Sequence, residues 1–255
     1  MSVLDLCCGK GGDLPYKWRQ AKIAHYVGAD LSKESIKSAK EKHEDMTHKI
    51  SINLDKRRND RFAEKAFPAI FIVQDAGDDN EQNLIDNILK KEKSLQSITS
   101  KIMFDIVSTQ FAIHYMFESQ TKLRAFLRNV TDRLEEDGVF IGTTVDADRV
   151  VCKIREAGSA KNLTVGNDYY SIVFGQDTFK KRDSAFGIKY YFYLLESVGK
   201  TAFTDGRPIY VPEYLVPFEA LIEMALEYGL VLDKKMNFHE YYEKMSQTEN
   251  TKKLY

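Results

Sequence analysis

The chain has 255 residues, enough for one large domain with a full core, or for one domain carrying a sizeable insertion. It is 43% hydrophobic and 29% charged with a mean hydropathy of -0.41, and its net charge of -1 excludes a global basic field, so a nucleic-acid partner has to be held by local patches. No apolar run reaches transmembrane length; three cysteines, two of them adjacent, give neither a disulfide framework nor the paired spacing of a zinc site, which points to a reducing compartment (cytosol or nucleus) and to no metal.

The stretch Val3-Leu4-Asp5-Leu6 reads as a short buried strand, and Cys7-Cys8-Gly9-Lys10-Gly11-Gly12-Asp13 follows as a glycine turn. Leu14 to Trp18 begins a helix, with Pro15 near its start where a missing N–H costs nothing. Ile23 to Ala29 is a second strand ending on Asp30, and Ser32 caps a helix whose Ile36, Ala39, His43 and Met46 recur at helical spacing. Thr47 to Pro68, with Arg57, Arg58 and Arg61, reads as a solvated loop or helix. Ala69 to Gln74 is a third strand delivering Asp75, Ala76 and Gly77, and a polar run to Lys101 predicts a helix around Leu84, Ile85, Ile88 and Leu89. Ile102 to Ser108 is a fourth strand, followed by Gln110 to Tyr115. Leu123, Phe126, Leu127, Val130 and Leu134 line one face of an amphipathic helix that Gly138 terminates, and Val139 to Thr144 is a fifth strand.

This alternation predicts an α/β fold with a mostly parallel sheet covered on both faces. The second half departs from it. Tyr169–Gly175 and Gly187–Leu195 read as aromatic-rich strands around Lys180-Lys181-Arg182, forming an antiparallel addition near the sheet's carboxyl edge. Val211 to Val216 leads into a helix with Leu221, Ile222, Ala225 and Leu226 that Gly229 ends, and Leu230 to Leu232 offers a sixth strand. We expect one domain over 1–255 with a substrate-side antiparallel insertion at about 165–215. Little precedes the first strand and no buried strand closes the polar carboxyl end, so both termini are expected to be truncated.

A glycine turn with Asp30 after the second strand fits two cofactor classes, because in both a carboxylate there accepts from ribose hydroxyls. A dinucleotide requires GxGxxG, which Gly9-Lys10-Gly11-Gly12-Asp13 does not supply, and Asp13 would face its phosphates. A ligand carrying sulfonium and ammonium groups tolerates that charge better. S-adenosyl-L-methionine is such a ligand, with Asp75 placed for an adenine amino group and Gln110 at the methionine end.

Val-Leu-Asp-Leu-x-Cys-Gly-Lys-Gly-Gly-Asp-Leu from Val3, Gln-Phe-x-x-His-Tyr from Gln110, Phe-Ile-Gly-Thr-Thr from Phe140 and Val-Pro-Glu-Tyr-Leu-Val from Val211 closely resemble the eukaryotic mRNA cap guanine-N7 methyltransferases, in order from Val3 to about Tyr242. The resemblance implies the Rossmann-like S-adenosylmethionine-dependent methyltransferase fold with a seven-stranded sheet. It implies methyl transfer to N7 of the terminal guanine of GpppN-RNA in the nucleus, with S-adenosyl-L-homocysteine as product. The partners it implies are the capped mRNA 5′ end and an activating or capping-apparatus protein.

Carried over by position, the resemblance sets Cys7, Gly9, Asp13, Asp30, Asp75, Ala76, Gln110 and Tyr115 around the cofactor. Lys10, Lys17 and Lys42 approach the cap phosphates, Phe111, His114 and Glu213 hold the guanine, and Glu213, His114 and Tyr115 form the catalytic set. Three positions differ from the family pattern: Cys7 replaces a glycine, Lys42 an arginine, and Val145 a proline. Cys7 is expected to fit only at negative φ, core burial is the alternative for Phe111, and Cys8 and Cys152 are expected to be buried and inert. Guanine N7 already carries a lone pair, so an in-line displacement needs no base and no covalent intermediate. Methyl transfer to another guanine-containing RNA or a small molecule, and cap binding without catalysis, are the alternative functions.

Overall fold

The computed structural model describes residues 1–56, 66–78, 103–156, 163–175, 178, 184–195 and 209–247. The Arg57/Arg58/Arg61 cluster, the predicted helix around Leu84–Leu89 and the Lys180-Lys181-Arg182 run lie outside them. Five strands, β1 (Ser2–Leu6), β2 (His25–Asp30), β3 (Ala69–Val73), β4 (Phe104–Gln110) and β5 (Leu134–Thr143), form a wholly parallel sheet in the order β3-β2-β1-β4-β5. Among the described residues the sheet has five strands, not the seven the resemblance implied. Leu230 to Leu232 form no strand, and Val231 and Leu232 are exposed.

β1 is central because its side chains are buried on both faces: Val3, Leu4 and Leu6 are fully enclosed. After β1 the chain runs outward to β2 and β3, then returns to β4 on β1's other flank. The order of the sheet therefore reverses between β1 and β4, and at such a switch point the loops leaving the two strands diverge and open a crevice at their carboxyl ends.

The helix after β2, α1 (Lys33–Lys56), starts where predicted, with Ser32 Oγ accepting from the Ser35 N–H at 3.1 Å. Its Ile36, Ala39, Met46 and Ile50 are buried, and His43 sits beside β3, 2.9 Å from the Phe67 carbonyl and against the rings of Phe67 and Phe71. The helix expected from Leu14 is a single π-helical turn, Leu14–Trp18. Behind β4 lie α2 (Ile113–Met116) and α3 (Gln120–Thr131), where Leu123, Phe126, Leu127 and Val130 are fully buried in the main core. Each such side chain contributes roughly 2 kcal/mol of transfer free energy.

Leu134 and Gly138 are not the end of that helix. α3 stops at Thr131, Leu134 pairs with Phe104, and the register then jumps to Ile106 opposite Val139. The residues between form a bulge containing Asp137 at φ 63° and Gly138.

α4 (Ala147–Glu156) follows β5, and β6 (Thr164–Gly166), β7 (Tyr170–Phe174), β8 (Lys189–Leu194) and β9 (Val211–Tyr214) pair antiparallel in that order. The antiparallel strands thus make a second sheet of their own rather than an addition to the first. Its inner face, with Ile172, Phe174 and Tyr190, packs with Ala147, Val150 and Ile154 of α4 in a separate core. Two helices complete the described chain, α5 (Phe218–Glu227) and α6 (Phe238–Ser246).

Candidate active site

The glycine turn leaves β1 at the switch point. Gly11 has φ 66°, and a Cβ there would stand 2.6 Å from Leu14 Cδ1 and 3.1 Å from Ala39 Cβ, so only glycine lets the turn close on α1. Gly9 donates its N–H to Asp30 Oδ2 at 2.8 Å, and the Ser32 N–H donates to Oδ1 at 2.9 Å. Two backbone donors thus fix the Asp30 carboxylate while leaving lone pairs on both oxygens. In the loop just past β3, Asp75 Oδ1 accepts from the Gly77 N–H at 2.9 Å, and Ala76 is held by Asn129 Nδ2 donating to its carbonyl at 2.8 Å.

Cys7 lies at φ 61°, against the expectation that this side chain requires negative φ. Burial, and then the Asp30 and Asp75 carboxylates, push its thiol up to about 12, so Cys7 is neutral at physiological pH. Phe111, at the end of β4, is also left-handed at φ 52°. Two non-glycine residues in this region therefore stand on the two lips of the crevice, a placement in which local strain is held by the surrounding structure. Phe111 is held by its N–H donating to Thr143, and its ring is 54% exposed and meets Phe238 edge-on at 6.0 Å; it is not a core residue. Gln110 points across to β5, donating to Ser108 Oγ and accepting from Thr143 Oγ1, both at 3.2 Å.

His114 and Tyr115 sit on α2, their rings 4.3 Å apart. His114 is 3% exposed, and burial lowers its pKa to about 4, which keeps the ring neutral. Its Nε2 is 3.4 Å from Glu213 Oε1 without hydrogen-bond alignment, and neither ring nitrogen has a hydrogen-bond partner among the described residues. Glu213 is also 3% exposed and lies on β9, where Tyr190 of β8 donates its hydroxyl to Oε2 at 2.7 Å. Burial raises the Glu213 pKa and this hydrogen bond opposes the rise. Tyr115 joins the two regions: burial raises its hydroxyl to about 12, and Glu213, Cys7 and Asp30 all act on it.

Other predicted residues stand further from this set. Asp13 and Lys17 are paired with each other at 2.9 Å, and Lys10 is exposed on the turn. Lys42 is half-buried on α1, one turn beyond the Ala39 that packs against Gly11. Val145 lines a cavity of about 360 Å³ together with Thr144, Asp146, Lys234, Lys235 and Phe238. Cys8 is half-buried with its thiol raised, whereas Cys152, expected to be buried, is exposed on α4 because that position faces away from the Val150–Ile154 stripe.

Sequence reasoning missed Tyr190. Its signal is a cross-strand one: Tyr190 and Glu213 are direct partners in the β8–β9 pair, a register that the 16 residues between the strands conceal.

Across residues 1–255 the chain matches the mRNA (guanine-N(7))-methyltransferase domain. It belongs to that family. The mRNA cap guanine-N(7) methyltransferase 1 of Arabidopsis thaliana is 36% identical over 243 residues, which are 94% of this chain and 56% of that protein. The mRNA cap guanine-N(7) methyltransferase of Drosophila melanogaster is 35% identical over 243 residues, 95% of this chain and 48% of that protein. The chain spans about half the length of these curated relatives. Among solved structures, the CcbJ methyltransferase from Streptomyces caelestis is similar in fold, with a TM-score of 0.52 at 13% identity over 91% of this chain and 74% of that one. In this mRNA (guanine-N7)-methyltransferase domain the glycine-turn corner is built by β1–β3 and their loops, and the Glu213 pocket by α2 from the parallel sheet together with β8 and β9 of the antiparallel one.

Proposed function

We propose that the protein transfers the methyl group of S-adenosyl-L-methionine to N7 of the terminal guanine of the mRNA 5′ cap, acting in the nucleus where transcripts begin. The observation that carries this reading is the Glu213 carboxylate, buried beside the neutral His114, whose neighbour Tyr115 lies within electrostatic reach of both Glu213 and Asp30.

The corner fits the donor. Asp30, with lone pairs free on both oxygens, suits ribose hydroxyls, and Asp75 suits an adenine amino group. Cys7, Gly9, Ala76, Gln110 and Tyr115 complete its lining, and Asp13, already paired to Lys17, contributes charge from farther off. When bound, the sulfonium of the donor supplies an electrophilic methyl group. The chain's residues bring the acceptor to it. Glu213 accepts from the guanine N1 and amino hydrogens, a pattern that adenine cannot match. The unpartnered nitrogens of His114 face the same base, exposed Phe111 offers it a stacking surface, and Lys10, with Lys42 behind it, reaches toward the triphosphate.

N7 attacks with its own lone pair, so none of these residues has to remove a proton. Alignment of the two substrates is then the main contribution, with a ceiling of roughly 7–11 kcal/mol. The negative charge of Glu213 adds to it by opposing the cation that forms on the base.

The test is incubation of the full-length protein with labelled S-adenosylmethionine and GpppG-RNA, followed by identification of the methylated atom. We expect N7-methylguanosine from the wild type, and from Glu213→Ala at least a hundredfold less product with cofactor affinity retained. Product on another atom, or no preference for GpppG over GTP, would overturn the reading.

A further inference from the structure

Of the polar groups around the candidate acceptor pocket, one has no assigned role. Tyr190 is a tyrosine on a buried strand face, 1% exposed, with its ring against Phe174 at 5.5 Å between centroids. Leucine or phenylalanine would fill that space without a polar atom to satisfy. Among the described residues the hydroxyl has one partner, Glu213 Oε2 at 2.7 Å, within the range for a hydroxyl donating to a charged oxygen.

The groups facing Glu213 come from two directions. From α2, His114 is neutral and stands 3.4 Å from Oε1 without a hydrogen bond, and Tyr115 stays protonated. From β8 comes Tyr190 alone. Among the described residues no cation balances the carboxylate, and the one aligned donor that stabilises its ionised form is the Tyr190 hydroxyl. That same bond fixes which oxygen is engaged and leaves Oε1 turned to the His114 side.

We propose that Tyr190 is a positioning residue of the acceptor pocket: its hydroxyl holds the Glu213 carboxylate ionised and in one orientation, with Oε1 presented to the substrate base. This rests on the reading of Glu213 as the group that binds guanine. Tyr190 touches no reacting atom. Its whole effect passes through Glu213, and it therefore predicts a dependence on pH that a purely structural tyrosine would not produce. Without the hydroxyl, protonation of Glu213 becomes easier, and activity that requires the carboxylate must move to higher pH.

The experiment is a double-mutant cycle with Tyr190→Phe, Glu213→Gln and the double variant in the full chain, measuring kcat/KM for GpppG-RNA from pH 6 to 9 and cofactor affinity by calorimetry. Tyr190→Phe should lose about tenfold in kcat/KM near pH 7, the size of one hydrogen bond to a charged group. It should recover most of that by pH 9, with cofactor affinity unchanged, and should add little to the loss in Glu213→Gln. A loss equal at every pH, or one fully additive with Glu213→Gln, would overturn the positioning role while Glu213→Gln itself stays impaired. A fully active Glu213→Gln would overturn the guanine-binding reading, and this proposal with it. Equilibrium binding of GpppG across the same pH range reads the same shift independently of turnover, so a weakly active variant still decides the question.

Discussion

Cys7 is a β-carbon in a position built for none. At φ 61° its side chain crowds the carbonyl that follows, a cost of roughly 1–2 kcal/mol for an L-residue. At ordinary positions glycine is less stable than alanine because it has more conformations to lose. Here the order should reverse. Urea unfolding of Cys7→Gly and Cys7→Ala, both lacking the sulfur, should find the glycine variant more stable by about 1 kcal/mol; the usual order would mean that the turn carries no strain there. With its thiol raised to about 12, Cys7 offers no nucleophile, so the side chain affects the corner by its bulk and not by its chemistry.

At the scale of elements, the turn after β1 contrasts two neighbouring glycines. Gly11 has positive φ and no room for a Cβ, whereas nothing stands within 4 Å of a Cβ added to Gly12. Gly11→Ala should lower stability by about 2 kcal/mol or more and loosen the contact between turn and α1, while Gly12→Ala should be nearly silent in a thermal melt. Equal effects would show that the turn does not close on α1. Much of this level was legible in the sequence. β1 to β4, α1 with its Ser32 cap, and the Leu123–Val130 stripe announce themselves through local period and capping. What was not legible is what depends on distant pairing. Leu134 continues the helical spacing of α3, and only its pairing with Phe104 makes it a strand residue. The same is true of the site: Asp30 and Asp75 follow from their strand ends, but Tyr190 becomes visible only when β8 lies beside β9. Cys152, likewise, sits among apolar residues in sequence and outside them in space.

For the whole molecule, one buried acid ties stability to pH. Asp5, on central β1, accepts from the Tyr26 hydroxyl at 2.9 Å and from Trp18 Nε1 at 3.4 Å, which fastens the π-helical turn and β2 to the middle of the sheet. Burial outweighs those bonds and raises its pKa to about 6 from an ordinary 3.8. Because the folded value is the higher one, the share of stability that Asp5 contributes is complete below about 3.8. It diminishes as the pH climbs and is gone above 6, a total of about 3 kcal/mol. Asp5→Asn abolishes the titration. Between pH 5 and pH 7 its unfolding free energy should therefore gain about 1 kcal/mol relative to wild type. A gap that does not change with pH would show that Asp5 titrates normally.

The seam between the two sheets has a mechanical consequence. Glu213 is carried by the antiparallel sheet and His114 by a helix of the parallel one, and among the described residues the two are joined by the Gly187 N–H to the Phe117 carbonyl at 2.9 Å, the Tyr214 hydroxyl to Glu118 at 2.9 Å, the stacked rings of Phe117 and Phe186, and Tyr214 and Val216 in the main core. The acceptor pocket therefore acts as a gauge of how the sheets are seated, since a small tilt of one changes the spacing of these two side chains while the Asp30 corner, held wholly within β1, β2 and their loops, stays as it was. On the proposed reading, a chain whose second sheet has come loose would still be a receptor for the donor, yet would lose its grip on the base.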